Sequence, residues 1–273
     1  TFPIIGPDTV NSVRPFTPGS RIAQIRFTYH HDYCELVAAV LSQTFTASVG
    51  PRGATNQYAR NSLTPDFAAH ATVFLRNHTI GVGIDYKRLV PRLVTNKDIK
   101  TDTAIGSLAA IAHVALHFER FDWHNKVCFA QNGENLGVLG GYAVHSISSC
   151  TDKRTYTNLR SVSMWTELIL RTRVEPAIFI AYLKNLGANE TIIQSTIDQN
   201  NEIEPTVYAF FLDVDHAFRI SPRVRWTYKA FVVEGEVEYT RTVYGDIDNK
   251  GNVINTHPPV GNFRFLFGLA YYF

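Results

Sequence analysis

The residues most able to act on a solute are charged and lie close together near the end of the chain. Arg219, Arg223, Arg225 and Lys229 share one parity, while Phe218, Ile220, Val224, Trp226 and Tyr228 share the other. Glu234, Glu236 and Glu238 then alternate with Phe231, Val233, Val237 and Tyr239. Side chains of an extended strand alternate between its two faces, so the whole segment reads as a hairpin with one charged and one apolar face. A turn at Ala230-Phe231 places Arg225 opposite Glu236 and Arg223 opposite Glu238. Such cross-strand pairs are worth roughly 0.2–1 kcal/mol each. More important is the surface they build, a wall with basic and acidic rows side by side. Lining a water-filled lumen, that wall would set the field felt by a passing solute. On a soluble protein it would be a solvated sheet face, but the opposite face is too aromatic to be left bare.

The other reactive side chains form no motif. The ten histidines include His113 and His117 on one strand face with Glu119 following, the adjacent pair His30-His31, and His70. No HExxH helix or Cys/His cluster with ligand spacing accompanies them, so they read as lumen-facing polar residues and no metal site is expected. No GxSxG, GxGxxG or phosphate-binding loop occurs. Asp246-Ile-Asp248-Asn-Lys250-Gly251 has some character of a calcium loop, but Lys250 stands where an oxygen ligand belongs, and the segment reads as a turn. Cys34, Cys128 and Cys150 are widely spaced and form no disulfide framework. A lipid hydrolase would need a nucleophile and a histidine meeting on one face, and Ser163 and His145 are the weak candidates. The chain is therefore read as a non-enzyme, with no catalytic residue and no cofactor.

The elements that must position the charged wall show the same period of two. Ile25, Phe27 and Tyr29 alternate with Arg26, Thr28 and His30, and Cys34 to Phe45 follows as a second strand. Further strands are predicted over 67–75, 80–88, 106–119, 122–131, 142–147, 162–171, 174–184, 218–228 and 231–243. Tight turns are expected at Asn77-His78, Arg120-Phe121 and Thr172-Arg173. Long polar connections separate other strands: Thr46 to Pro65, 96–102, the glycine-spaced 133–141, Asn185 to Pro205 with weak helical character at Thr191 to Gln199, and 244–261. Short turns alternating with long loops suit a barrel with short periplasmic turns and longer extracellular loops. The last strand puts Phe263, Phe265, Phe267, Leu269, Tyr271 and Phe273 on one face. A soluble chain seldom ends on an unbroken aromatic strand, because termini fray and bare apolar edges aggregate.

Bulk properties agree. Of 273 residues, 45% are hydrophobic, 12% aromatic and only 18% charged, enough for one large β-domain with interfacial aromatics. No window approaches the ~18 uncharged apolar residues of a membrane helix, which leaves a barrel open because its alternating strands do not register as such windows. The net charge of +2 carries no nucleic-acid signature. The chain opens on Thr1-Phe2-Pro3, contains one methionine, Met164, and shows no signal peptide, so an N-terminal part is expected to precede it.

Several passages together resemble porin-like outer-membrane proteins of Bacteroides-type bacteria (Bacteroidales) and, more distantly, DcaP-like porins. They are Pro15-Phe-Thr-Pro-Gly-Ser-Arg-Ile-Ala-Gln-Ile-Arg-Phe27, Gly140-Gly-Tyr-Ala-Val144, Tyr182-Leu-Lys-Asn-Leu-Gly187, Phe218-Arg-Ile-Ser-Pro-Arg223, Tyr244-Gly-Asp246 and the terminal strand. The resemblance implies a Gram-negative outer-membrane channel that passes small hydrophilic solutes, resides among lipid and lipopolysaccharide, and assembles as a homo-oligomer, a trimer. It also implies that residues 1–20 form part of a loop, with 21–273 the C-terminal part of a single barrel domain.

The expected fold class is thus all-β, an antiparallel transmembrane β-barrel with about 12 strands in this chain and about 16 in the full protein. Passive diffusion through a porin is the expected function. A barrel enzyme and a soluble β-sandwich binding module are the alternatives. Pore-lining charges are expected at Arg219, Arg223, Arg225, Lys229, Glu234, Glu236 and Glu238. With strands missing, an open barrel would present two bare edges, and residues 1–273 alone are expected to be unstable.

Overall fold

Alternation of β-branched and aromatic residues with small or polar ones holds almost every segment extended, because side chains on a pleated surface pack best when two apolar neighbours share a face. The computed structural model describes residues 14–19, 22–43, 47–197 and 202–272. In chain order the elements begin with β1 (Ala23–His31), β2 (Cys34–Ser42), β3 (Ser48–Gly50), β4 (Gly53–Thr55), a one-turn helix α1 (Gln57–Asn61), β5 (Asp66–Leu75) and β6 (His78–Leu89). Next come β7 (Ile105–His117), β8 (Phe121–Gln131), a 3-10 turn at Gly133–Leu136, β9 (Gly141–Ile147), β10 (Arg154–Leu170) and β11 (Val174–Ala188). The remainder are β12 (Ser195–Ile197), β13 (Ile203–Pro205), β14 (Val207–Tyr208), β15 (Val214–Tyr228), β16 (Phe231–Tyr244), β17 (Asp246–Ile247), β18 (Val253–Ile254) and β19 (Val260–Tyr271).

Eleven strands pair in the order β1-β2-β5-β6-β7-β8-β10-β11-β15-β16-β19, and β9 and β14 join beside β10 to complete a 13-stranded sheet. Every pairing in it is antiparallel, and each strand of the main path lies beside its sequence neighbour on that path. This is the expected all-β, antiparallel up-and-down sheet, close to the expected strand number. β1 and β19 end the path, and among the described residues no pairing joins them.

One end of the sheet carries the tight turns 32–33, 76–77, 118–120, 171–173 and 229–230, and the other carries the long connections. Several boundaries differ from the sequence reading. The turn expected at Asn77-His78 is Arg76-Asn77, with Leu75 facing His78. The turn expected at Ala230-Phe231 is Lys229-Ala230, because Lys229 takes the left-handed conformation (φ 52°) and Tyr228 pairs with Phe231. Instead of a weak helix near Thr191, Ser195–Ile197 forms a small hairpin with Ile203–Pro205, since the cross-strand ladder supplies hydrogen bonds that an isolated turn of polar residues cannot. Residues 198–201 lie outside the described part, as do 1–13, 20–21, 44–46 and Phe273, so most of the expected 1–20 loop, the end of the strand expected over Cys34 to Phe45 and the terminal aromatic are not placed.

The two faces of the sheet are inverted relative to a soluble protein. Ile80, Val82, Ile84 and Tyr86 point outward and exposed, whereas Asp85 and Lys87, of the alternate parity, are buried on the inner face. At β19, Phe265 is 80% exposed, while Glu238 on the inner face of the neighbouring strand is 2% exposed. Aromatics mark both ends of the outer face: Phe218 and Trp226 on β15, Tyr239 and Phe231 on β16, Phe263 and Tyr271 on β19. Each pair is separated by eight residues, a span of ~26 Å along the strand.

Candidate functional site

On the inner face, β11 contributes Ala177, Phe179, Ala181 and Leu183, all buried and uncharged. The small side chain of Ala177 lies between Ile169 of β10 and Arg223 of β15. Strands two apart are ~10 Å from each other, so only across such a small residue can a long side chain meet its counterpart. Arg223 does so: its guanidinium reaches Glu167 of β10 at 3.4 Å and Glu234 of β16 at 3.2 Å. Arg225 pairs with the same Glu234. Arg219 lies 3.3 Å from Glu238, and Arg264 of β19 lies 4.0 Å from the other oxygen of that carboxylate. The result is a charged layer stitched across five strands, with its acids and bases lying along the wall.

The register of this hairpin is shifted from the sequence reading by two residues. Arg223 faces Glu236 and Arg225 faces Glu234. A shift of two preserves the face, which is why the charges still meet. Arg219, Arg223, Arg225, Glu234, Glu236 and Glu238 are therefore brought together on the inner wall. Lys229 is not: it sits exposed in the turn, with its ammonium 5.6 Å from the centre of the Tyr228 ring. Glu167 and Arg264 belong to the cluster and were missed. Their inward parity was legible, but which strands lie beside them was not.

The long connections fold over the inner face at the opposite end from the tight turns. Tyr58 of α1 packs with Leu89, Ile105, Tyr142, Val144 and Tyr208, an apolar cluster drawn from several connections and the strand ends they join. Beneath it, buried Lys87 donates to Asn135 Oδ1 at 2.7 Å. Glu134 accepts the backbone N–H groups of Val49 (3.0 Å) and Phe210 (2.7 Å). Burial pushes the Glu134 carboxyl up to about 7, against those hydrogen bonds and the attraction of Lys87. Arg154 grips Glu204 with two hydrogen bonds, 2.6 and 3.1 Å, and Arg92 joins the same carboxylate. Asp152 lies 3.6 Å from Arg92 and 3.5 Å from Arg154, so connections 90–104, 132–153 and 189–213 are tied to one another.

Residues 14–19 also lie against the inner wall. Phe16 is buried with Trp165, Phe179 and Leu183, the Arg219 guanidinium stands 5.0 Å from its ring centre, and Trp165 Nε1 donates to Thr17 Oγ1 at 2.6 Å. The inner space is thus narrowed by folded chain as well as by charged side chains.

Two other sequence candidates resolve simply. Asp248 accepts the backbone N–H groups of Lys250 and Asn252, each at 2.8 Å, so the segment is the turn its composition indicates. Ser163 lies on the inner face opposite Cys128, while His145 Nδ1 on β9 donates to the Thr191 carbonyl at 2.7 Å. These two residues keep separate partners.

A continuous antiparallel meander, apolar outside and charged inside, defines a fold of the outer-membrane β-barrel class. Among solved structures it is similar to the crystal structure of the outer membrane channel DcaP of Acinetobacter baumannii, with a TM-score of 0.60 and 10% sequence identity. The similarity covers 93% of this chain and 63% of that one, so the chain spans less than two thirds of the channel's length. No protein-family model matches the sequence. No curated protein matches it either.

Proposed function

We propose that the chain is part of an outer-membrane channel through which small hydrophilic solutes diffuse passively. The observation that carries this is the inverted sheet: large apolar side chains exposed on one face, and a paired acidic and basic layer on the other. An exposed apolar face of this extent is costly in water and favourable in lipid. Eight-residue spacing between the aromatic rows gives ~26 Å along the strand, or ~20 Å of height at a tilt of ~40°, the scale of the ~25 Å apolar band of such barrels. The inner charges suit a water-filled path, where basic and acidic groups shape the field on a permeating solute. The inward-folded connections and residues 14–19 would form its constriction. Assembly as a trimer in the membrane of a Bacteroidales-type cell, in contact with lipopolysaccharide, belongs to the same reading, as does a longer barrel to which these strands contribute.

Planar-bilayer conductance of the detergent-extracted protein tests it. Stepwise, stable open channels are expected. Insertion without conductance would favour an enzyme or a gated transporter, and extraction without detergent would refute membrane residence.

A further inference from the structure

We propose that the inner wall carries a divalent transition-metal site of the zinc type at the tight-turn end, formed by His117, Asp122 and His124. His117 closes β7 and Asp122 is the second residue of β8, and the two face each other across the hairpin. Asp122 and His124 are two apart on β8, hence on one face. The ligand atoms of the three residues lie within 4.8 Å of one another, and His117 Nδ1 is already 2.9 Å from Asp122 Oδ1. In a tetrahedral set with metal bonds of 2.0–2.1 Å, donors stand about 3.3 Å apart, so His124 is the residue that must approach.

Both ring nitrogens of His124 are shielded from water and neither has a hydrogen-bond partner. Its Nδ1 lies 3.6 Å from Glu167, its cross-strand neighbour on β10. A carboxylate there can receive the N–H of a metal-bound imidazole and fix its tautomer, the usual arrangement behind a metal-ligating histidine. Two neutral imidazoles and one carboxylate match the preference of zinc and its neighbours, and leave a position open to the lumen.

Without metal, Arg171 neutralises Asp122: its Nε donates to Oδ1 at 2.9 Å and a terminal nitrogen lies 2.6 Å from Oδ2. The Arg171 side chain is about half exposed (49%) and stands in the turn, so it can swing away. It competes with the incoming cation for the same carboxylate. No linear motif announces the site, because its donors come from both arms of a hairpin.

The test is calorimetric titration of the untagged, detergent-extracted protein with Zn2+, with Co2+ absorption as a second probe. One saturable site per chain is expected. His117→Ala and His124→Ala should each weaken binding by more than the ~10–100-fold typical of losing a second-shell partner. Arg171→Ala should tighten it, which a purely structural role for these histidines would not produce. Retained heat-resistant migration on a gel shows that each variant is folded. Absence of a saturable site, or affinity unmoved by the histidine variants or by Arg171→Ala, would overturn the assignment. No current is measured, so failure here leaves the channel reading standing.

Discussion

Replacing Arg223 by glutamine removes the side chain that ties β10, β15 and β16 together over Ala177. Glu167, 1% exposed, then loses a guanidinium 3.4 Å away. At an effective dielectric of 20 that attraction is ~5 kcal/mol before desolvation is counted. Breaking a buried pair by removing one partner costs about 3–5 kcal/mol, because the remaining charge stays buried. Taking the lower value, and ~2–4 °C per kcal/mol for a chain of this size, the unfolding midpoint should fall by about 6–12 °C. Loss of heat-resistant gel migration on heating measures it. Glu167→Gln together with Arg223→Gln should recover much of the loss, with a coupling of ~0.5–3 kcal/mol, since no uncompensated charge is then left at that contact. A single variant as stable as the wild type, or a double variant worse by the sum of both, would refute the reasoning.

Neutralising Arg219, Arg223 and Arg225 together, with folding verified, should shift ion selectivity toward cations. A lumenal charge ~5 Å from an ion is worth ~0.8 kcal/mol even at the dielectric of water, and an unchanged reversal potential across a salt gradient would rule out their pore-lining role. The Glu134 carboxyl, raised by burial from 4.5 to about 7, favours the folded cap in its protonated form. That contribution is complete below pH ~4.5 and is lost as pH rises through about 7, by roughly 3 kcal/mol in all. The attraction of Lys87 is already within that value. Hydrogen-exchange protection factors of 48–50 and 133–136, taken relative to the intrinsic exchange rate at each pH, should therefore fall between pH 5 and 8, and Glu134→Gln should flatten that dependence. Gly141→Ala should loosen the same cap, because φ is 145° there and a Cβ would collide with the Tyr208 carbonyl. The expected cost is ~1–3 kcal/mol from strain alone, read as faster proteolysis of the 132–153 connection.

What the sequence by itself determined is the alternation. A period of two assigns every strand residue to a face without knowledge of its neighbours, so the apolar outer face and inward Arg219, Arg223, Arg225, Glu234, Glu236 and Glu238 were legible. Even misplacing the turn at Ala230-Phe231 rather than Lys229-Ala230 did no harm to that assignment, because a register shift of two restores the face. Local pattern could not say which strands lie side by side. The bridge from Arg223 to Glu167 crosses 56 residues of sequence, and the His117–Asp122–His124 set spans a hairpin. The packing of Tyr58 beside Tyr142 and Tyr208 joins three connections that carry no common signal. Only tertiary structure brings these together, since contacts between distant segments depend on strand order and loop path, which the alternation of side chains leaves open.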